Sequence, residues 1–363
     1  MNYYNEQDGL KYVLQQRSNG DSPLGNARRE LPRNAQDFVE RFYNVETYMN
    51  REWHPQVNLG AAVAGDGLLT DHGVQHVQDV IRHAYDIIAD ISQLTGFEIY
   101  ILLLSIHFHD VGNISGREEH EQKIGDILNQ MQGILPLSTP EKGFICDIAT
   151  AHGGYFKGDK DTIRGILSDD IFDSIQIRPK VLAAILRFSD EISDDLGRSI
   201  SNVDIPLENE AYHIYSSTLE PISVEGDTLR FHYRIPFEFT QKKVQKGNQK
   251  LYLYDEIRNR LAKCMRELEY CKKYAGEILK LSSASVVIDI LQKKDTFRPI
   301  KDASESFKLT LQGYPDEKAS TFEAYLEKND AGMGQSGSCR YEDGKDLKKK
   351  LAEKETLSKE ENQ

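Results

Sequence analysis

The chain has 363 residues, 39% of them hydrophobic and 28% charged, with a formal net charge of −13. That is longer than one ordinary domain needs, and the composition is that of a globular protein. The acidic balance speaks against general nucleic-acid binding through a basic surface, double-stranded nucleic acid included. The four cysteines, Cys146, Cys264, Cys271 and Cys339, are scattered and form no C-x-x-C, so neither a zinc knuckle nor a disulfide framework is indicated.

In chain order, Met1–Asp8 is polar and lacks the basic-then-apolar pattern of an export signal. The longest apolar run, Ile99–Ile106, is too short to span a bilayer, so no membrane association and a cytoplasmic location are expected. Residues 1–35 read as mostly irregular, with a short helix near Gly9–Arg17 and a loop through Asn19–Asn26. Ala35–Arg51 reads as a helix, with Trp53 placed to pack it onto the core. From Val74 an amphipathic helix is predicted, with Val77, Ile81, Ala84, Ile88 and Ile91 recurring at helical steps. His76 flanks that stripe. His72, four residues earlier, reads as a supporting neighbour.

The buried apolar run Ile99–Phe108 ends in His109-Asp110, followed by Val-Gly-Asn113. A polar pair there needs a reason to be buried, and an adjacent His and Asp in the last turn of a core helix both reach one cation. His120-Glu121 opens the pattern Ile124, Ile127, Leu128, Met131. His152 ends the apolar-striped segment Phe144–Ala151 and runs into Gly153-Gly154, where a helix cap is the plain alternative. Asp190 lies in Val181–Ile192, a helix apolar enough to be buried; a cation, or Arg187 one turn earlier, accounts for its carboxylate. Each residue has a bland explanation singly. Jointly, four or five core-facing helices bring a His or Asp to one end, and imidazole nitrogens and carboxylate oxygens are the ligands that first-row divalent metals take.

After about Pro206 the pattern changes. Tyr212–Leu219 and Thr228–Ile235 alternate with a period of two, as strands do, and Gly226-Asp227 signals a turn. Leu251–Leu281 reads as one long helix, and Ala284–Leu291 and Ser306–Leu311 return to strand character. His213 and His232 read as surface residues of strands. Lys345–Gln363 is a charged run, expected to be disordered or a loosely held helix. The resulting division is an irregular segment 1–35, a helical domain 36–205, an α+β module 206–328 and a charged tail 329–363.

The order His76, His109-Asp110, His152, Asp190 resembles the HD superfamily of metal-dependent phosphohydrolases, over about residues 68–200. The resemblance implies a mainly α fold, an HD-type helical bundle with a smaller C-terminal α+β module. It implies a divalent metal (Mn, Fe or Mg, one or two ions) held by His76, His109, Asp110 and Asp190, with His120 and His152 binding a second metal or acting as general acid. Leu182–Glu191 looks like the family's last motif helix. The cyclic-di-GMP phosphodiesterase branch carries a Lys where this chain has Asn113, and a Gly-Tyr-Pro signature where it has Gly153-Gly154-Tyr155. The deoxynucleotide triphosphohydrolase branch continues differently after its Asp, but its His-Glu or His-Asn catalytic motif is similar to His120-Glu121. The overall impression is closest to prokaryotic HD domains of genome-conflict and phage-defence operons.

The chemistry implied is attack by a metal-activated water on the phosphorus of a nucleotide, most of all a (deoxy)nucleotide. Asp110 bridges two metals or orients the water, and His120, with Glu121, protonates the leaving oxygen. Arg117 and Arg187 are candidates for clamping phosphate oxygens; Asn113, Lys123 and Tyr155 are further substrate-side candidates. The alternatives are a two-metal cyclic-nucleotide or oligonucleotide phosphodiesterase, and a metal-stabilised nucleotide sensor or assembly subunit without turnover. The C-terminal module is free to serve a homo-oligomer or a partner protein.

Overall fold

The computed structural model describes residues 9–19, 31–32, 36–57, 72–116, 119–193, 210–293, 297–300, 302–311, 321–326 and 339–360. The chain divides into two compact units, one of residues 1–66, 71–193 and 271–280, the other of residues 67–70, 194–270 and 281–363. The loop expected through Asn19–Asn26 lies outside the described residues except for Asn19 itself.

The first unit is helical: α1 (Leu10–Ser18), α2 (Gln36–Tyr48), a π-helical turn (Met49–Trp53) leading into α3 (54–57), α4 (Val74–Asp86), α5 (Gly96–Phe108), α6 (Ile124–Gln130), α7 (Thr139–Thr150) and α8 (Pro179–Glu191). A small antiparallel hairpin, β1 (Asp170–Phe172) and β2 (Ile175–Ile177), precedes α8. Every residue of α5 is buried. Its sequence is apolar around its whole circumference, as suits a helix enclosed on all sides. A capping box starts it: Thr95 Oγ1 accepts from the Glu98 amide at 3.1 Å, and Glu98 Oε2 accepts from the Thr95 amide at 2.9 Å. Glu98 is fully buried, and Arg178, just ahead of α8, donates to it from Nε at 2.7 Å and from Nη2 at 2.8 Å. That ion pair fixes the start of α8 against the start of α5. A second capping box, Ser138 with Glu141, starts α7. α4 is amphipathic and buries Val77, Val80, Ile81 and Ala84 together with His76 and His83. The segment after the long helix joins this unit, through Ala89 donating to Ile278 O at 2.8 Å and Lys280 donating to Ile87 O at 3.1 Å.

The second unit holds α9 (Glu210–Thr218), β3 (Ser223–Glu225), β4 (Thr228–Pro236), α10 (Phe237–Gln241), the hairpin β5 (Lys243–Lys246) and β6 (Gln249–Tyr252), and most of α11 (Leu253–Ala275). It continues with β7 (Ser283–Leu291), β8 (Glu305–Thr310), α12 (Phe322–Tyr325) and α13 (Gly344–Glu360). Its main sheet has the order β3-β4-β7-β8. β4 and β7 pair in parallel with Phe231 opposite Val286, and the outer pairs are antiparallel. The fold is thus mainly α with a C-terminal α+β region.

Two local expectations change, and one of two alternatives is met. Within the expected strand Tyr212–Leu219, residues 212–218 are helical rather than extended, and only Leu219 makes a β-bridge, to Tyr233. Ala211, Tyr215 and Thr218 are buried at helical spacing, and the Tyr-Ile-Tyr alternation coincides with that face only in part. His213, expected on a strand surface, is consequently a buried helix residue. The long helix stops at Ala275 because Gly276 takes a left-handed φ of 55°, which terminates a helix. The charged tail forms α13, whose Leu347 and Leu351 are buried. Gly344 at its start lies so close to Tyr252 that an added Cβ would stand 2.2 Å from that side chain's own Cβ. Among the described residues no helix is long and apolar enough to cross a membrane.

Replacing Glu98 removes both its cap and the anchor of Arg178. Glu98→Ala is expected to lower unfolding free energy by about 2–3 kcal/mol, read from urea denaturation of the full chain.

Candidate metal centre

Four secondary elements and two turns end at one place. His76 comes from the first turn of α4, His109 and Asp110 from the end of α5, His152 from just beyond α7, and Asp190 from the last turn of α8. His120 opens a short 3-10 turn, His120–Lys123. The nitrogens and oxygens face one another. His76 Nε2 is 3.3 Å from His109 Nε2 and 3.2 Å from Asp190 Oδ1. His109 Nε2 is 3.3 Å from Asp110 Oδ2 and 3.7 Å from Asp190 Oδ1. On the other side of the same carboxylate, Asp110 Oδ1 is 3.3 Å from His120 Nε2 and 3.8 Å from His152 Nε2. Among the described residues three groups have ligand atoms all within 4.8 Å of one another: His76–His109–Asp190, Asp110–His120–His152 and His72–His76–Asp110.

The backbone fixes how the imidazoles are presented. His109 Nδ1 donates to Ile106 O at 2.7 Å, and His152 Nδ1 donates to Ala149 O at 2.5 Å. A carbonyl oxygen only accepts, so each Nδ1 carries a hydrogen and each ring turns Nε2 inward, its lone pair open to a cation when the ring is neutral. Glu121 Oε2 stands 3.5 Å from His120 Nδ1 and favours the same tautomer there. Donors bound about 2.0–2.2 Å from one cation lie about 3.0–3.6 Å from each other, and the facing donors here stand 3.2–3.8 Å apart. Inward lone pairs, two carboxylates and this spacing fit a divalent cation.

Electrostatics agree. Burial opposes ionisation of Asp110, but His109 and His72 outweigh it and hold its carboxyl well below the usual range. Asp190 follows the same pattern, burial being overcome by His109 and His76. His109 is raised well above its ordinary value, because Asp110 and Asp190 overcome the effect of burial. His152 is pushed down to about 4 by burial and by its neighbours His109 and His120.

One glycine makes the second half of the site. A Cβ on Gly112 would lie 1.9 Å from the backbone oxygen of His120, so only glycine lets the turn after Asp110 meet the turn that carries His120. Glu119, just before it, takes a left-handed φ of 50°. Gly153 and Gly154 leave room for the Glu121 carboxylate in the same way.

The substrate-side candidates are placed as follows. Asn113 is buried and donates from Nδ2 to Asp110 Oδ1 at 2.9 Å. Arg187 Nη1 donates to Thr162 Oγ1 at 3.0 Å, and Thr162 donates to Ala151 O at 2.6 Å; this arginine braces the segment behind His152. Lys123 Nζ lies 3.3 Å from Ser115 O. Tyr155 is 67% exposed, with Lys160 Nζ 5.7 Å from its ring centre. Arg117 lies outside the described residues. Sequence reasoning missed Gly112, whose role needs His120 in place, and a buried chain of His54, His107 and Glu46. His54 Nε2 is 3.1 Å from His107 Nδ1, His107 Nε2 is 3.6 Å from Glu46 Oε1, and Lys11 Nζ bonds that carboxylate at 2.5 Å. The one available signal was a second histidine inside the apolar run of α5.

A family model, HD-CE, matches residues 66–263, more than half of the chain. The chain belongs to the HD-CE family. Its His/Asp groups are those of an HD-type metal site, as the resemblance implied. Comparison with curated proteins and with solved structures finds no match.

Two outcomes follow from this geometry. Gly112→Ala displaces His120 and is expected to weaken metal uptake at the Asp110–His120–His152 group about 10–100-fold, with the first group retained; manganese titration by calorimetry reads both. The second concerns pH. Burial and His107 lower His54 to about 2, and His152 stands at about 4. The unfolded chain takes up these protons near 6.5, so both groups withdraw stability as pH falls from 6.5 toward 4. His109, with its raised pKa, acts oppositely and loses its contribution as pH rises through that value. His54→Asn is expected to flatten the acid limb by up to about 1.4 kcal/mol per pH unit, measured by urea unfolding of metal-free protein from pH 7 to 4.

Proposed function

We propose that this HD-CE protein is a metal-dependent phosphohydrolase that cleaves a phosphate bond of a nucleotide, with a (deoxy)nucleotide favoured. The observation that carries the reading is Asp110, one oxygen of which faces His76 and His109 while the other faces His120 and His152. One carboxylate between two donor groups is the arrangement of a two-cation phosphate site.

His76, His109, Asp110 and Asp190 would hold one divalent cation, and Asp110, His120 and His152 a second. Bound there, such ions lower the pKa of their water and neutralise phosphate oxygens. The chain's own residues do the rest. Ile106 O and Ala149 O accept from Nδ1 of His109 and His152 and so aim Nε2 of each inward, where a cation would take the place of a proton. His120 Nε2, beside Asp110 Oδ1, is the atom placed to pass a proton to the leaving oxygen when the second group holds no cation. Glu121 holds the opposite edge of that ring. Tyr155 offers an exposed aromatic face three residues after His152, with the Lys160 ammonium beside it, the pairing that a nucleobase and its phosphate use. The net charge of −13 suits a small substrate better than a long polyanion.

A hydrolysis screen with added manganese over deoxynucleotides, cyclic dinucleotides and short single strands tests the reading. Turnover of one class, abolished by a chelator and lowered at least about a thousandfold in Asp110→Ala (roughly 4 kcal/mol of barrier), is the expected result. Cleavage of cyclic dinucleotides or single strands alone makes the chain a phosphodiesterase. Tight nucleotide binding without turnover makes it a sensor. Turnover that survives Asp110→Ala overturns the catalytic assignment.

A further inference from the structure

We propose that His72 is the positioning residue that sets the plane of the Asp110 carboxylate, and thereby lets that one group serve two cations. The proposal rests on reading the site as a metal centre.

His72 stands just ahead of α4, four residues before His76, and is buried. Its Nδ1 lies 2.7 Å from Asp110 Oδ2. That is shorter than the 3.2–3.8 Å separations among the other facing donors of the centre and is a hydrogen-bond length, not the spacing of two ligands on one cation. A carboxylate oxygen only accepts, so Nδ1 of His72 carries the hydrogen and donates it. Asn113 Nδ2 donates to the opposite oxygen, Oδ1, at 2.9 Å. Asp110 is therefore gripped by one N–H on each oxygen.

The grip matters because the terminal torsion of an aspartate is broad and easily turned. A rotation moves both oxygens at once. Oδ2 then leaves His76 and His109, and Oδ1 leaves His120 and His152. Two donors on different oxygens, one from ahead of α4 and one from the turn after α5, hold the torsion where each oxygen keeps a lone pair for its own group. The His72 ring also meets the His76 ring edge to face, centroids 5.5 Å apart and planes at 70°, so one imidazole steers a carboxylate and a neighbouring ligand together. Outer partners of metal ligands typically change affinity about 10–100-fold when removed.

The experiment uses the full chain with manganese as probe. Bound metal is counted by elemental analysis, titrated by calorimetry, and examined by electron paramagnetic resonance for coupling between two Mn ions. Wild type is expected to bind two coupled ions. His72→Ala is expected to keep the first ion and bind the second about 10–100-fold more weakly, with the coupled signal replaced by that of isolated Mn. His72→Asn, whose amide nitrogen reproduces the Nδ1–H, is expected to restore the second ion and the coupling. His72→Leu, of similar bulk but without a donor, repeats the test if the alanine variant does not fold. Two ions coupled as in wild type in either donor-less variant overturn the role given to His72 and leave the metal centre standing. So does failure of His72→Asn to recover the coupling. A wild-type chain that binds no manganese overturns the metal centre itself.

Discussion

The site depends on a single carboxylate that faces two ways. Asp110 faces His76 and His109 with one oxygen and His120 and His152 with the other. α4, the end of α5 and the turn after α7 bring His76, His109 and His152 within 3.3–3.8 Å of its two oxygens, and the end of α8 brings Asp190 to His76 and His109. A small rotation of that group would dissolve both halves together. The surrounding construction is therefore rigid. α5 is enclosed by apolar packing and capped at its start, and its buried Glu98 is locked to Arg178 at the head of α8. Asp110 and Asp190 are thus placed by helices whose opposite ends are already pinned together.

Charge makes the same point. Burying two carboxylates beside three or more imidazoles is costly unless each group compensates another. Here the carboxyls are driven strongly toward ionisation and His109 toward protonation. His152 stays neutral because burial, and after it the positive charge of His109 and His120, disfavours its protonation. A polar cluster this interdependent is a poor device for stability alone. It makes physical sense as a cradle where a dication takes the place of the protons.

Much of this was legible in the residues. Apolar periodicity located α4, α5 and α8. Their His and Asp residues, each explicable singly, pointed to a common end, and the strands after Gly226 stood out by alternation. What could not be read were facts of proximity. Gly112 looks like any glycine until the backbone of His120 lies against it. Asn113 and Arg187, candidates for the substrate side, also bond Asp110 and Thr162 in the segment behind His152, partnerships that only proximity reveals. Tyr212–Leu219 misled because aromatic and aliphatic residues at alternate positions also fall on part of a helical face. For α13 a loose helix is one of two readings; that the buried Leu347, Leu351 and neighbouring Tyr341 seat it could not be told from its charge.

The path of the chain through its two units has a practical meaning for anyone who dissects it. The polypeptide leaves the first unit near Ser193, builds half of the second, and returns with residues 271–280 to lie beside Ile87 and Ala89 before departing again. One continuous helix, α11, thus supplies both units. Cutting after the HD-type helices would strip the first unit of its returning segment and expose the backbone groups of Ile87 and Ala89. Neither unit is one uninterrupted stretch of the sequence, so no single cut releases either of them whole.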